Sequence, residues 1–317
     1  MSAITAPAIP KARKKSVYKQ FIQYRPLLVM LAIPIIYIVI FAYVPMSGII
    51  LAFTRYRYAD GMWGSPWVGL QNFRFFFISG AASTVVRNTI LYNTAFIIVG
   101  TVVQVFFAVI LNEVMGKIFK KVTQSMMLLP FFISWVVAAS IAFNILNFEF
   151  GVLNSVLAFF GADPINVYGM PHAWPFLLVF FNLWKNAGYG TIIYLASITS
   201  IDPQIYEAAE VDGANAWHRI WKITLPHLKP TMIILFLLAM GNMFRGDFGM
   251  FFQLIGNNGL LLPYTDIIDT YVFRMLISSA DVGMAAAAGL FQSVFGFITV
   301  LIANFIVKKI EPDYSLF

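Results

Sequence analysis

Residues 206–230 read YEAAEVDGANAWHRIWKITLPHLKP, dense in charged, small and turn-forming residues and set between two long apolar runs. Asp202-Pro203 just upstream signals a helix start, because the carboxylate can cap free backbone donors and proline suits the first helical turn. A short helix is expected from there towards Val211. Asp212-Gly213 then breaks the helix and starts another, since glycine permits a sharp turn and aspartate can cap the second helix. Between Ala214 and Thr224, Trp217, Ile220 and Trp221 share one helical face, with His218, Arg219 and Lys222 elsewhere; Pro226 and Pro230 are expected to end the helix. Physics alone leaves two readings: an amphipathic connector at a membrane boundary, or a rigid surface offered to a partner.

The flanks decide the class of protein. Of the 317 residues 60% are hydrophobic and 11% charged, with a mean hydropathy of +0.79, outside the range of soluble domains. The composition predicts an all-α integral membrane protein. With no cysteine, disulfides, thiolate metal sites and thiol nucleophiles are excluded. Three histidines and fourteen acidic residues leave little for a catalytic centre. The net charge of +7 fits basic loops held at an anionic membrane surface rather than nucleic-acid binding.

A helix crossing about 30 Å of hydrocarbon needs roughly 20 mostly apolar residues. Six stretches qualify, at about 27–53, 88–111, 124–147, 173–197, 231–254 and 283–307. Pro34, Pro45, Pro130 and Pro175 lie in them, so kinked, packed helices are expected. The first run is too long for the core of a signal peptide and reads as a retained span. The expected division is a basic cytoplasmic segment over 1–26, a six-span domain over 27–307 with a loop at 198–230, and a short cytoplasmic tail over 308–317. Lys11, Arg13, Lys14, Lys15, Lys19, Arg25, Lys117, Lys120, Lys121, Arg219, Lys222, Lys229, Lys308 and Lys309 fall on one side. They outnumber Arg55, Arg57, Arg74, Arg87 and Arg274 on the other, so both termini and the 206–230 loop are predicted cytoplasmic.

Glu207-Ala208-Ala209, three residues, Gly213, nine residues, Ile223, one residue and Leu225-Pro226 spell EAA-x3-G-x9-I-x-L-P. With six spans and a basic N-terminus, the chain resembles the permease subunits of binding-protein-dependent ABC importers, and the carbohydrate importers in particular. The resemblance implies a type I permease fold in a bacterial inner membrane, with this loop as the coupling helix that docks on a cytoplasmic ATPase. It assigns Glu207 as the charged contact, Ala208 and Ala209 as the small face for close approach, Asp212 and Gly213 as the turn, and Ile223, Leu225 and Pro226 as the anchor to the bundle. The implied partners are a second homologous permease, two ATPase subunits, an extracytoplasmic solute-binding protein, membrane lipid and an oligosaccharide. No nucleic acid is implied. The chain has no G-x-x-x-x-G-K-[ST] loop, so ATP and magnesium are expected on the partner ATPase, with no cofactor or metal here and no enzymatic activity.

Polar groups inside spans are costly and mark candidate pathway residues. These are Asn144 in the third span, Asn182, Trp184, Lys185, Asn186 and Tyr189 in the fourth, and Asn242, Arg245 and Asp247 in the fifth. Each could instead be interhelical glue. Lys185 and Arg245 suggest an anionic, uronate-containing cargo, although Asp247 could neutralise Arg245. An ion-coupled secondary transporter using these charges, or an ABC importer for a non-sugar solute, remains the alternative.

Overall fold

The computed structural model describes residues 24–78, 80–114 and 116–316. Residues 1–23 of the expected basic segment, with Lys11, Arg13, Lys14, Lys15 and Lys19, lie outside the described residues. Two compact units are present, divided between Ile50 and Leu51. In the first, α1 (Arg25–Ile38) contains Pro34 and passes into a π turn at Val39–Tyr43 and a 3-10 segment, Val44–Phe53, whose last residues belong to the second.

The second unit holds, besides the short helices Gly61–Gly64, Gln71–Ile78, Val152–Phe159 and Leu262–Thr265, the helices α2 (Ala81–Glu113), α3 (Lys117–Phe132), α4 (Trp135–Leu146), α5 (Trp174–Thr199), α6 (Pro203–Val211), α7 (Ala216–Arg219), α8 (Leu225–Met240), α9 (Phe248–Ile255), α10 (Ile268–Ser279) and α11 (Val282–Ile310). Among the described residues no strand forms beyond an isolated bridge between Thr54 and Trp67. By length and composition, Arg25–Phe53, Ala82–Glu113, Ala216–Met240 and Val282–Ile310 can each cross a membrane, and the bent pair α3/α4 adds a fifth candidate. The expected fourth span is α5. Its 26 residues reach about 39 Å, but its polar residues set it apart from the other candidates.

Two expected spans are interrupted. The third turns by 98° between Phe132 and Trp135, where Ile133 has extended backbone and the Ser134 side chain caps α4. The fifth, expected to run unbroken over 231–254, stops at Met240 and resumes at Phe248. Pro175 produces no kink, because it lies in the first turn of α5, where no intrahelical donor is required.

The connections between the expected spans contribute to the core, with Val167, Leu261 and Ile267 buried there. Trp174 is fully buried, its indole N–H donating to the Val167 carbonyl at 3.1 Å, and it packs in one cluster with Leu178, Phe251, Leu261 and Ile267. At the end carrying the 206–230 loop, a second cluster joins Ala108, Leu111, Tyr194, Ile198 and Leu228. Helix α5 lies against α2 and α3 closely enough that a side chain at one position would meet backbone and at another would have to displace the end of Gln104. A Cβ on Gly188 would fall 1.9 Å from the Met127 carbonyl oxygen, and one on Gly190 2.1 Å from Cδ of Gln104. Small residues permit this approach where there is no soluble-type hydrophobic drive between helices.

Candidate functional site

The 206–230 loop folds as a helix pair. Asp202 accepts from the Gln204 N–H at 3.0 Å and starts α6. Gly213 takes φ +81°, the left-handed conformation that side chains disfavour. Asp212 closes α6 rather than capping the next helix; that role falls to Asn215, which accepts from the His218 N–H at 2.9 Å. The expected stop at Pro226 and Pro230 does not occur. Helix α7 continues through a π turn at Ile220–Thr224 into α8. The π turn closes with the Leu225 N–H donating to the Ile220 carbonyl, so the change back to α register falls at Pro226, which has no N–H to place. The result is one helix of 25 residues from Ala216 to Met240, about 37 Å long.

The two limbs are tied together. Tyr206 and Thr224 share a hydroxyl hydrogen bond of 2.9 Å. Arg219 pairs with Glu210 and lies 3.9 Å from Glu113 at the end of α2. The motif's own face is open: Glu207, Ala208, Asp212 and Gly213 are exposed, Ala209 is half-buried, and Val211 is 89% exposed. Ile223 and Leu225 are half-buried as an anchor requires, whereas Pro226 is exposed. The firmest anchor is Leu228, fully buried and not singled out by the motif.

A cavity of about 570 Å³ is lined by Asn182, Asn186, Tyr189 and Asn242, joined by Asn93 and Gln104 from α2. Four expected pathway residues thus converge on one space. Trp184, on another face of α5, lines an apolar groove of about 650 Å³, while Asn144 borders a separate cavity of about 410 Å³ with Ser140 and Gln253. Phe131 stacks on Tyr189 with ring centres 4.6 Å apart.

The three charged candidates stand at or beside the two interruptions, and two of them, Lys185 and Asp247, satisfy helix ends there. The Lys185 ammonium donates to the carbonyls of Phe131 at 2.9 Å, Pro130 at 3.4 Å and Ile133, ending α3 as a cation at a helix C-terminus does. In the other interruption, Asn93 donates to the carbonyls of Met243 and Arg245, both at 2.9 Å, and Gln292 donates to that of Phe244 at 2.9 Å. Non-helical backbone at membrane depth needs such substitutes for its lost partners. Asp269 accepts from the Gly246 N–H at 2.7 Å and from Gln292 at 3.0 Å. Burial pushes its carboxyl up, against those hydrogen bonds and nearby Arg245. Asp247 caps α9 through the Met250 N–H at 3.1 Å. Arg245 reaches Ser293 at 3.4 Å, and among the described residues neither Arg245 nor Lys185 has a carboxylate within 4.0 Å.

Known proteins share the fold. The family model described as "Binding-protein-dependent transport system inner membrane component" matches residues 100–312. The polygalacturonan/rhamnogalacturonan transport system permease protein YteP of Bacillus subtilis is 34% identical over 98% of this chain and 96% of its own length. Protein LplB of the same organism is 33% identical over 90% of each chain. A chain in the crystal structure of a bacterial alginate ABC transporter in complex with an alginate pentasaccharide-bound periplasmic protein superposes with a TM-score of 0.84 and 32% identity, covering 93% of this chain and 98% of that one. The open EAA helix pair, the interrupted helices and these likenesses agree: the chain is a multi-pass membrane protein of the binding-protein-dependent transport system inner membrane component family, the permeases of ABC importers.

Proposed function

We propose that the chain is one of two related permease subunits of an ATP-driven importer for oligosaccharides, among them anionic, uronate-containing ones. An extracytoplasmic binding protein delivers the cargo, and two separate ATPase subunits hold ATP and magnesium. The observation that carries the reading is the continuous helix from Ala216 to Met240. One end belongs to the exposed EAA pair, and Asn242, just past the other, lines the amide-rich cavity. A stiff element of this kind converts movement of a docked ATPase into movement of the cavity wall. Amides and a tyrosine ring suit sugar hydroxyls and the flat faces of a pyranose. Lys117, Lys120 and Lys121 come just after the end of α2 that Arg219 approaches, and Lys222 and Lys229 flank the motif's end. This grouping supports a cytoplasmic loop and cytoplasmic termini.

The case for an acidic cargo rests on the relatives and on Arg245, whose backbone N–H donates to the carbonyl of cavity-lining Asn242 at 2.9 Å and which, among the described residues, has no carboxylate within 4.0 Å; the Lys185 ammonium is already held by backbone carbonyls. In the assembled importer, uptake of a galacturonate oligomer and of a neutral oligosaccharide should respond differently to Arg245→Ala. Uronate uptake is expected to fall about tenfold or more, the weight of a charge-assisted hydrogen bond, with the neutral cargo little affected. Equal losses for both would contradict charge recognition, and uptake that persists without ATP or the ATPase would favour a secondary transporter.

A further inference from the structure

Trp135, the first residue of α4, stands where the third span turns, and its indole N–H donates to Oδ2 of Asp247 at 2.5 Å. Asp247 stands at the far side of the interruption in the fifth span, with Oδ1 capping α9. One carboxylate therefore starts one helix and holds the bend of another. Packing reinforces the bond: a Cβ on Gly249 would lie 3.0 Å from Cδ1 of the Trp135 ring. The Lys185 ammonium, the same one that ends α3, lies over the ring 5.3 Å from its centre. Asn93 and Gln292 pin the fifth-span interruption through its backbone, which contributes no side-chain specificity. Among the described residues, the Trp135–Asp247 contact is the side-chain hydrogen bond that joins the two interruptions.

We propose that Trp135 and Asp247 form a positioning pair that makes the bent third span follow the inner end of the 216–240 helix, so that ATPase-driven movement reaches both cavity-flanking interruptions together. The inference rests on the coupling reading of the 206–230 loop. Without the bond, the long helix still moves and α4 lags behind it. ATP hydrolysis continues while cargo passage fails.

Two conservative variants test this. Asp247→Asn with its oxygen kept on the Met250 N–H presents the indole with the amide NH2, which donates and cannot accept. Trp135→Phe keeps an aromatic ring and deletes the donor. In the importer reconstituted into lipid vesicles, each variant is expected to lower uptake per ATP hydrolysed about tenfold, and the double variant no further, as two halves of one interaction require. A second readout separates linkage from simple destabilisation. Spin labels at Ile141 on α4 and Leu238 on α8 should keep one separation through the ATP cycle in the parent and change it in either variant. Additive losses, normal uptake per ATP in both variants, or a label separation that already changes in the parent would overturn the proposal. Intact coupling in Glu207→Lys measured alongside would instead refute the underlying coupling reading.

Discussion

Glu207→Lys and Gly213→Pro are each expected to reduce cargo-stimulated ATP hydrolysis and uptake by about 30-fold or more, the scale of losing a central interface contact, while the bundle stays folded. Glu207 is exposed and, among the described residues, forms no ion pair, so reversing its charge removes nothing that holds this chain together. It borders a small cleft with Asn112 and Tyr206, and its carboxylate is available to a basic group on a partner. Gly213 acts through the backbone. At φ +81° it sets the turn between α6 and α7, and proline, held near φ −65°, cannot occupy that conformation. Circular dichroism and size-exclusion profiles should match the parent in Glu207→Lys, with the loss confined to coupling. Normal stimulation in both variants would refute the docking role.

Lys185→Met carries the largest expected cost to the fold itself. The thioether nearly matches the lysine stem in length but leaves the carbonyls of Pro130, Phe131 and Ile133 without their shared donor. The Pro130 carbonyl keeps the Ile133 N–H at 3.1 Å, so the loss falls on the Phe131 and Ile133 carbonyls, at about 1–3 kcal/mol for each one left unpaired away from water. Thermal unfolding of the detergent-solubilised protein should therefore begin at least about 5 °C lower. Lys185→Arg is not expected to restore stability, because three carbonyls converging on one point suit an ammonium, whereas a guanidinium donates in a planar fork. An unchanged unfolding temperature in Lys185→Met would show that water or another donor serves the bend.

The motif, the apolar runs and one face of α5 were legible because each is a local pattern. Asn182, Asn186 and Tyr189 keep helical spacing, and they do line a common cavity. Asn93 and Gln104, which complete it, sit in α2 among apolar residues and gain significance only when α5 packs across them. The interruption at 241–247 had local signals in Gly241, Gly246 and the capping Asp247, but overall apolarity masked them. Conversely, Pro226 and Pro230 looked like stops, and a π turn and the surrounding bundle absorbed them. The charged candidates show the same limit. Lys185 and Asp247 have an evident attraction for cargo in a linear sequence, yet both are engaged at interrupted helices, whose freed backbone groups cannot turn to water at membrane depth.

On the proposed reading, an ATPase grips this permease at its open EAA face. Val211, 89% exposed at the end of α6, is the position for a photo-activated cross-linking residue in the assembled, cargo-responsive importer. The expected product joins this chain to the ATPase subunit, changes in yield with bound nucleotide and disappears in Glu207→Lys. Cross-links only to lipid or within this chain, in an assembly that still hydrolyses ATP in response to cargo, would contradict it.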